Sequence, residues 1–276
     1  MDFLPISMDD MQKRGWEQCD FVFVTGDAYV DHSSFAAAVI SRLLERFGYK
    51  VGIIAQPDWK DINSFKKLGE PRLGFLVNSG NIDSMVNHYT TFRKKRSTDA
   101  YSPGGRSGLR PDRAVTVYSN RIREAYKNVP IIIGGIEASL RRLSHYDYWS
   151  DSVRRSVLLD SGADLLVYGM GEKSMIEIAE ALESGIPVSE ITFINGTVYK
   201  TKDKERPYNP IFLPEYKNVV SSKEKYGESF KIQYENTDSI TGRTLVEQYD
   251  TVYVVQNPPM LPLTMQELDA SSFAPR

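Results

Sequence analysis

Cysteine is almost missing: Cys19 is the only one in 276 residues. One thiol makes no intrachain disulfide and no cysteine-ligated zinc or iron–sulfur site, and it suits a reducing compartment. Histidine is nearly as scarce. His32, His88 and His145 stand in no zincin-like spacing, and a lone histidine more often serves as a hydrogen-bonded structural residue than as a ligand or base. Neither charge sign dominates. A formal net charge of -2 excludes a molecule that binds polyanions over its whole surface, so any basic patch must be local. The longest apolar runs are strand-sized, too short for a membrane-spanning helix. The start, "MDFLPISMDD", is acidic and lacks a basic region ahead of an apolar core, so it is no secretory signal. These absences place the chain in the cytoplasm with no membrane partner. In that setting Asn195-Gly196-Thr197 reads as a turn rather than a glycosylation acceptor. A Walker phosphate loop, a triple-glycine dinucleotide fingerprint and a serine nucleophile elbow are also missing.

What is present is a rhythm. At 41% hydrophobic and 25% charged, the composition is that of an ordinary globular protein. Short β-rich runs, "FVFVT", "VGIIA", "LGFLV", "PIIIG" and "DLLVYG", alternate with helical patterns. "SSFAAAVISRLLERFG" predicts a helix capped by Ser33 or Ser34, with Phe35, Val39, Leu43 and Phe47 on one face. "AVTVYSNRIREAYK" predicts a second, with Val115, Tyr118, Ile122 and Ala125 spaced at three and four residues, and "EKSMIEIAEALESG" a third. "SDSVRRSVLLDSG" also reads as helical. Strands with no wet face are parallel and covered by helices. The expected fold is therefore α/β: a doubly wound, flavodoxin-like, five-stranded parallel sheet over residues 1–190. An α+β extension follows over 191–276, with an Asn195-Gly196 hairpin in "TFINGTVYK", a helix in "SSKEKYGESFKIQYEN", strands in "LVEQYDTVYVVQNPP" and a Thr264/Glu267 capping box.

In such a sheet, ligands bind at the carboxyl ends of the strands, where strand order reverses. The loops there read "TGDAYVDHSS", "NSGNID", "GGIEAS" and "GMGEKS". Glycine beside a helix start lets backbone N–H groups approach an anion, though the same glycines also serve turn geometry alone. The candidate cofactor-binding residues are Gly26, Asp27, His32, Asn78, Ser79, Gly80, Gly134, Gly135, Glu137, Gly169, Gly171 and Glu172. Arg141 and Arg142 flank "HYDYWSD" and either bind an anion or pair internally with Asp147, Asp151 and Glu137. The long polar segment from Asn78 to Arg113 carries Arg93, Lys94, Lys95, Arg96, Arg106, Arg110 and Arg113 against Asp99 and Asp112. Tyr89, Phe92 and Tyr101 are interleaved, a pattern that either binds single-stranded nucleic acid or forms a solvated loop; Arg93, Arg106 and Arg110 join Arg141 and Arg142 as candidate substrate- or anion-binding residues. No acid–base pair, metal cage or activated nucleophile stands out, so these residues are not expected to be catalytic alone.

Three stretches, "GGIEASLRRLSHYDYWSDSVRRSVLLDSGADLLVYGMGE", "MVNHYTTFRKKRSTDAYSPGGRSGLRPDRAVTVYSNRIREAY" and "VVQNPPMLPLT", resemble the amino-terminal domain of the YgiQ-type radical SAM family. The resemblance covers nearly the whole chain. It implies a following barrel in which a Cys-x3-Cys-x2-Cys motif holds a 4Fe-4S cluster and S-adenosylmethionine, yielding a 5'-deoxyadenosyl radical. That motif is not in this sequence, so the chain reads as an amino-terminal accessory domain whose partner is its own missing barrel. Radical SAM enzymes with a cobalamin-binding domain place a similar flavodoxin-like unit before their barrel. Their turns resemble Gly134-Gly135 and Gly171-Glu172, which makes cobalamin a candidate second cofactor. The Asp-x-His-x-x-Gly lower-ligand motif is absent here, because Asp31 and His32 are adjacent. The resemblance implies a role in binding substrate or a second cofactor; the competing reading is a non-catalytic module that binds RNA or another anionic partner through residues 93–113.

Overall fold

A computed structural model describes residues 3–272. The elements run α1 (Met8–Lys13), β1 (Phe21–Thr25), α2 (Ala36–Arg46), β2 (Val51–Ala55), β3 (Gly74–Asn78), α3 (Ser84–His88), α4 (Ala114–Ala125), β4 (Ile131–Ile133) and α5 (Gly135–Leu140). Next come β5 (His145–Asp147), β6 (Ser152–Arg154), α6 (Val157–Asp160), β7 (Leu165–Val167), α7 (Glu172–Glu183), β8 (Thr197–Thr201) and β9 (Ile211–Phe212). The last are α8 (Tyr216–Ser221), α9 (Lys223–Glu235), β10 (Leu245–Tyr249), β11 (Val252–Gln256) and α10 (Met265–Ser272). Two compact units form. The first runs to Glu137 and adds Ser161–Ala163 and the residues from Leu263 on; the second takes Ala138–Asp160 and Asp164–Pro262.

The first unit holds a parallel sheet in the order β2-β1-β3-β4. Phe21 pairs with both Val51 and Gly74, and Phe75 with Ile131. Every residue of β1 is buried, as a strand covered on both faces requires. The α/β class and the flavodoxin-like order are those expected, and the order reverses between β1 and β3. On α4, Val115, Tyr118 and Ile122 are fully buried, as their spacing predicts. Helix α2 departs from expectation. It starts after Phe35 with no side-chain cap, and its buried residues are Ala37, Ala38, Ser41, Leu43 and Leu44. Phe47 is half exposed. Of the expected face only Leu43 is buried; Ala37, Ala38, Ser41 and Leu44 complete the inward side, so the four-residue spacing of large residues does not by itself mark the core face.

The second unit holds a mixed sheet in the order β7-β8-β11-β10-β9, antiparallel except between β9 and β10. The expected fifth strand is β7, whose partner within this unit, β8, runs antiparallel to it. The helix read over "SDSVRRSVLLDSG" is not formed at its start. Ser152–Arg154 pairs with His145–Asp147, and Val153 opposite Tyr146 makes a β-branched–aromatic pair. Only Val157–Asp160 is helical. Asp147 closes the turn by accepting from the Trp149 N–H at 3.2 Å and the Ser150 hydroxyl at 2.8 Å. Asn195-Gly196 turns the chain into β8, but β8 pairs with β7 and β11, so it builds no local hairpin. The α9 helix and the β10–β11 hairpin form as expected, and Thr264 and Glu267 make their capping box. No helix among the described residues is long and apolar enough to cross a membrane.

Glu247 is the polar knot of the second unit. It is fully buried on β10. Its carboxyl accepts from the Ser144 N–H at 2.8 Å, from the Ser144 hydroxyl and from the Tyr249 hydroxyl. Burial pushes its pKa up against those bonds. A carboxyl favoured in its protonated form by folding adds stability at low pH, and that share is lost as pH rises through the folded value. Glu247→Ala leaves the Ser144 N–H without its acceptor and should cost roughly 2–4 kcal/mol in urea unfolding. Glu247→Gln keeps an acceptor for that N–H and cannot ionise. It should stay folded and lose this part of the pH slope.

Candidate functional site

The switch point lies where β1 ends at Thr25 and β3 at Asn78, which pair with each other. The two exits touch: a Cβ on Gly26 would stand 2.1 Å from the Ser79 carbonyl oxygen. Just beyond, Oδ2 of Asp27 accepts the Asn81 N–H at 2.7 Å. Arg110 then enters from the polar segment. Nη1 donates to the Ser79 carbonyl at 2.9 Å, and Nε and Nη2 reach Asp99 at 3.2 and 3.0 Å. Nη2 also lies 3.0 Å from Oδ1 of Asp27. The arginine is 2% exposed. A guanidinium stays charged, so this burial is tolerable only with carboxylate and carbonyl partners around its fork. Gly80 sits against the knot at a φ of 106°, and a Cβ there would fall 2.0 Å from Oδ1 of Asp27.

One cation faces two carboxylates. Burial raises the Asp27 carboxyl more than Arg110 lowers it. Burial also works to raise Asp99, but the Tyr101 N–H, the Ser102 hydroxyl and Arg110 outweigh it and hold Asp99 below its usual range. The polar segment is therefore no loose loop. The Ala28 N–H donates to the Tyr101 carbonyl at 2.8 Å, and the Gln56 amide donates to the Gly26 carbonyl and the Ser102 hydroxyl at 2.9 and 2.7 Å.

The glycine pair after β4 has a geometric role. The Gly134 N–H donates to the Val77 carbonyl at 2.9 Å. Gly135 turns at a φ of 78°, with its Cβ position 3.2 Å from the Asn78 Cβ. Glu137 is buried, and its two oxygens accept the Ser84 and Val115 N–H groups at 2.9 and 3.0 Å. One carboxyl thus serves the first turns of α3 and α4, where N–H groups lack helical partners.

The structure gathers Gly26, Asp27, Asn78, Ser79, Gly80 and Arg110 into one closed network and seats Gly134, Gly135 and Glu137 beside β3 and α3. His32 lies on an exposed turn, its Nδ1 accepting the Ser34 N–H. Arg93 and Arg106 are exposed on the polar segment. Gly169, Gly171 and Glu172 belong to the second unit, where Gly169 has a φ of 71° and donates to the Ser139 hydroxyl at 3.3 Å. Gly171 precedes α7. Arg142 lies 5.0 Å from the Tyr168 ring centre and donates to Gln256 at 2.7 Å and the Ser139 carbonyl at 2.7 Å. Arg141 is half-buried beside it, and burial lowers its pKa. Next to Arg142 a groove of about 240 Å³ is lined by His145, Phe230 and Tyr234. Burial pulls the His145 pKa down to about 4.

One cavity escaped the motif search. Arg110 and Asp99 also line a cavity of about 370 Å³ with Trp59, Asn87 and His88. These residues come from separate elements, and no spacing rule joins them. As for cofactor donors, Cys19 is buried with its sulfur 3.7 Å from that of Met11, and burial pushes its thiol up to about 11, so it does not fit a cluster ligand. At the rim, Asp31 pairs with Arg42, and Arg110 donates to the Ser79 carbonyl at the exit of β3.

A family model described as "Radical SAM N-terminal" matches residues 3–275. A "UPF0313 protein" of Clostridium botulinum (strain Kyoto / Type A2) is 59% identical over 269 residues, which cover 98% of this chain and 42% of the relative. One from Clostridium perfringens (strain SM101 / Type A) is 60% identical over 268 residues, 97% of this chain and 40% of the relative. The chain thus spans about two fifths of the length of the curated relatives it matches. Among solved structures, a radical S-adenosylmethionine methyltransferase, TsrM, from Kitasatospora setae, with tryptophan and a SAM analogue bound, aligns at 18% identity and a TM-score of 0.43. The alignment covers 66% of this chain and 28% of that one.

Arg110→Met strands two carboxylates in the knot and should lower stability by about 3–5 kcal/mol. Asp27→Asn, which removes the carboxylate that burial penalises, should cost far less. Gly80→Ala should destabilise as well, through its positive φ and the clash with Asp27. Urea unfolding of the three variants checks the order.

Proposed function

The chain belongs to the radical SAM N-terminal family, and from that premise we propose that it is the amino-terminal accessory domain of a larger radical SAM enzyme of the cytoplasm. The observation that carries this is the match over residues 3–275 together with relatives more than twice as long. The 4Fe-4S cluster and S-adenosylmethionine belong to a barrel outside these residues, since Cys19 offers no ligand. The domain's own part is to help bind substrate or a second cofactor. The closed knot at the switch point makes the first unit a rigid support, and the Gly169–Gly171 turn ahead of α7 supports a binding role in the second. The clostridial relative, reconstituted with iron and sulfide under anaerobic conditions, should form 5'-deoxyadenosine from S-adenosylmethionine and a reductant. The 276-residue chain should form none. A cluster-loaded relative that forms none contradicts the proposal.

A second reading rests on one surface. The Arg93 N–H donates to the Thr90 carbonyl and the Thr90 N–H to the Lys94 carbonyl, so Thr90–Lys94 makes a tight turn. It displays Phe92, 84% exposed, between basic residues. Aromatic stacking beside cations binds single-stranded RNA without sequence preference. Neutralising Arg93 and Lys94 to Gln with Phe92→Ala should then weaken binding to a single-stranded oligonucleotide at least tenfold and flatten its salt dependence. Unchanged binding rejects this reading.

A further inference from the structure

The cavity of about 370 Å³ in the first unit has a floor, a wall and a mouth of different chemistry. Asn87 is 6% exposed; its buried Nδ2 makes no well-formed hydrogen bond and lies beside the Asp99 carboxyl, which it helps to keep ionised. Beside it, Nδ1 of His88 lies 2.6 Å from Oδ1 of Asp112, whose Oδ2 accepts the Tyr89 hydroxyl at 2.8 Å. Nε2 of His88 is buried and unpartnered. Buried polar atoms are almost always hydrogen-bonded, so an unpartnered His88 Nε2 beside an amide without a well-formed bond, both on one cavity, calls for an occupant. The wall is apolar: Trp59, Pro111 and Val117.

Two carboxylates line the cavity, Asp99 and Asp112. Asp99 shares Arg110 with Asp27, and Asp112 is bonded to the His88 ring and the Tyr89 hydroxyl and attracted by Lys95. Lys95 and Arg96 also line the cavity, and both are exposed. Nε of Arg96 donates to the carbonyls of Val86 and Tyr89 at 3.3 and 3.2 Å. These bonds fix the guanidinium and leave its two terminal nitrogens without a partner among the described residues. Amide and cation together provide donors for an oxyanion, in the way that charge-assisted bonds hold carboxylates and phosphates. The volume falls in the range of small-molecule pockets with apolar walls and few polar groups.

We propose that this cavity binds a small organic anion: a phosphate or carboxylate carried on a flat apolar body, with the body against Trp59 and the oxyanion toward Asn87, Lys95 and Arg96. The site is separate from any cluster chemistry of the larger protein and from the turn displaying Phe92. It stands whether or not the accessory-domain reading holds.

Isothermal titration of the 276-residue chain tests it with three probes: adenosine 5'-monophosphate for a phosphate, indole-3-acetate for a carboxylate, and adenosine as the uncharged control. One of the two anions should bind at a single saturable site, and which one does so identifies the oxyanion. Adenosine should bind at least tenfold more weakly. Lys95→Gln with Arg96→Gln should lower the anion's affinity at least tenfold while the unfolding midpoint holds, because both side chains are exposed. Arg93→Gln with Lys94→Gln should leave the affinity unchanged. Failure of both anions to saturate, equal binding of adenosine, or equal affinity in the Lys95/Arg96 variant overturns the proposal.

Discussion

A buried guanidinium must have its charge matched on every side that lacks water, and the first unit is arranged around one such group. Arg110 draws Asp27 from the exit of β1 and Asp99 from the middle of the polar segment to within 3.0 Å of the same nitrogen. Those two carboxylates are 72 residues apart in the chain. Holding them together commits everything between them: the Ser79 carbonyl turns inward, Gly80 takes a conformation no β-carbon allows, and Tyr101 receives the Ala28 N–H. A buried ion pair is weak support for stability, because desolvation offsets its attraction, but it is strong support for a single geometry when its removal leaves like charges behind.

That geometry decides where a ligand has room. In open parallel sheets the crevice lies at the switch point, and here the same place is occupied by protein. A cavity opens instead on the flank of the same arginine, where Arg110 and Asp99 form one side and Trp59, Asn87 and His88 are among its other residues. The placement of Arg110 says which part of this domain is support and which part is open.

Much of this was legible in residue order, and the boundary has a physical cause. Strands with no polar face could only be parallel and covered, so β1 to β4 followed from their composition. The three- and four-residue spacing on α4 named its core face. By contrast, α2 buries Ala37, Ala38 and Ser41 beside Leu43 and Leu44, and the small residues, which let a helix pack closely, carry little hydrophobic signal. The "HYDYWSD" hairpin was hidden because Asp147 closes the turn with its own side chain, a local bond that a helical pattern does not register. Glu137 was visible as a residue near a helix start, but its two acceptor bonds to α3 and α4 depend on a fold formed across more than fifty residues. Arg110 was counted among seven basic residues of a polar run, and nothing local marked it as the one that is buried.

Native-state hydrogen exchange tests the central claim, that the polar segment is a fixed cover locked by Arg110. The Ala28 and Asn81 amides, which donate to Tyr101 and Asp27, should be protected to within about tenfold of the β1 amides Val22–Val24, because cover and sheet open together. Exchange of Ala28 and Asn81 roughly a thousandfold faster than β1, with β1 still protected, would mean that the cover opens by itself and that the switch point is accessible after all.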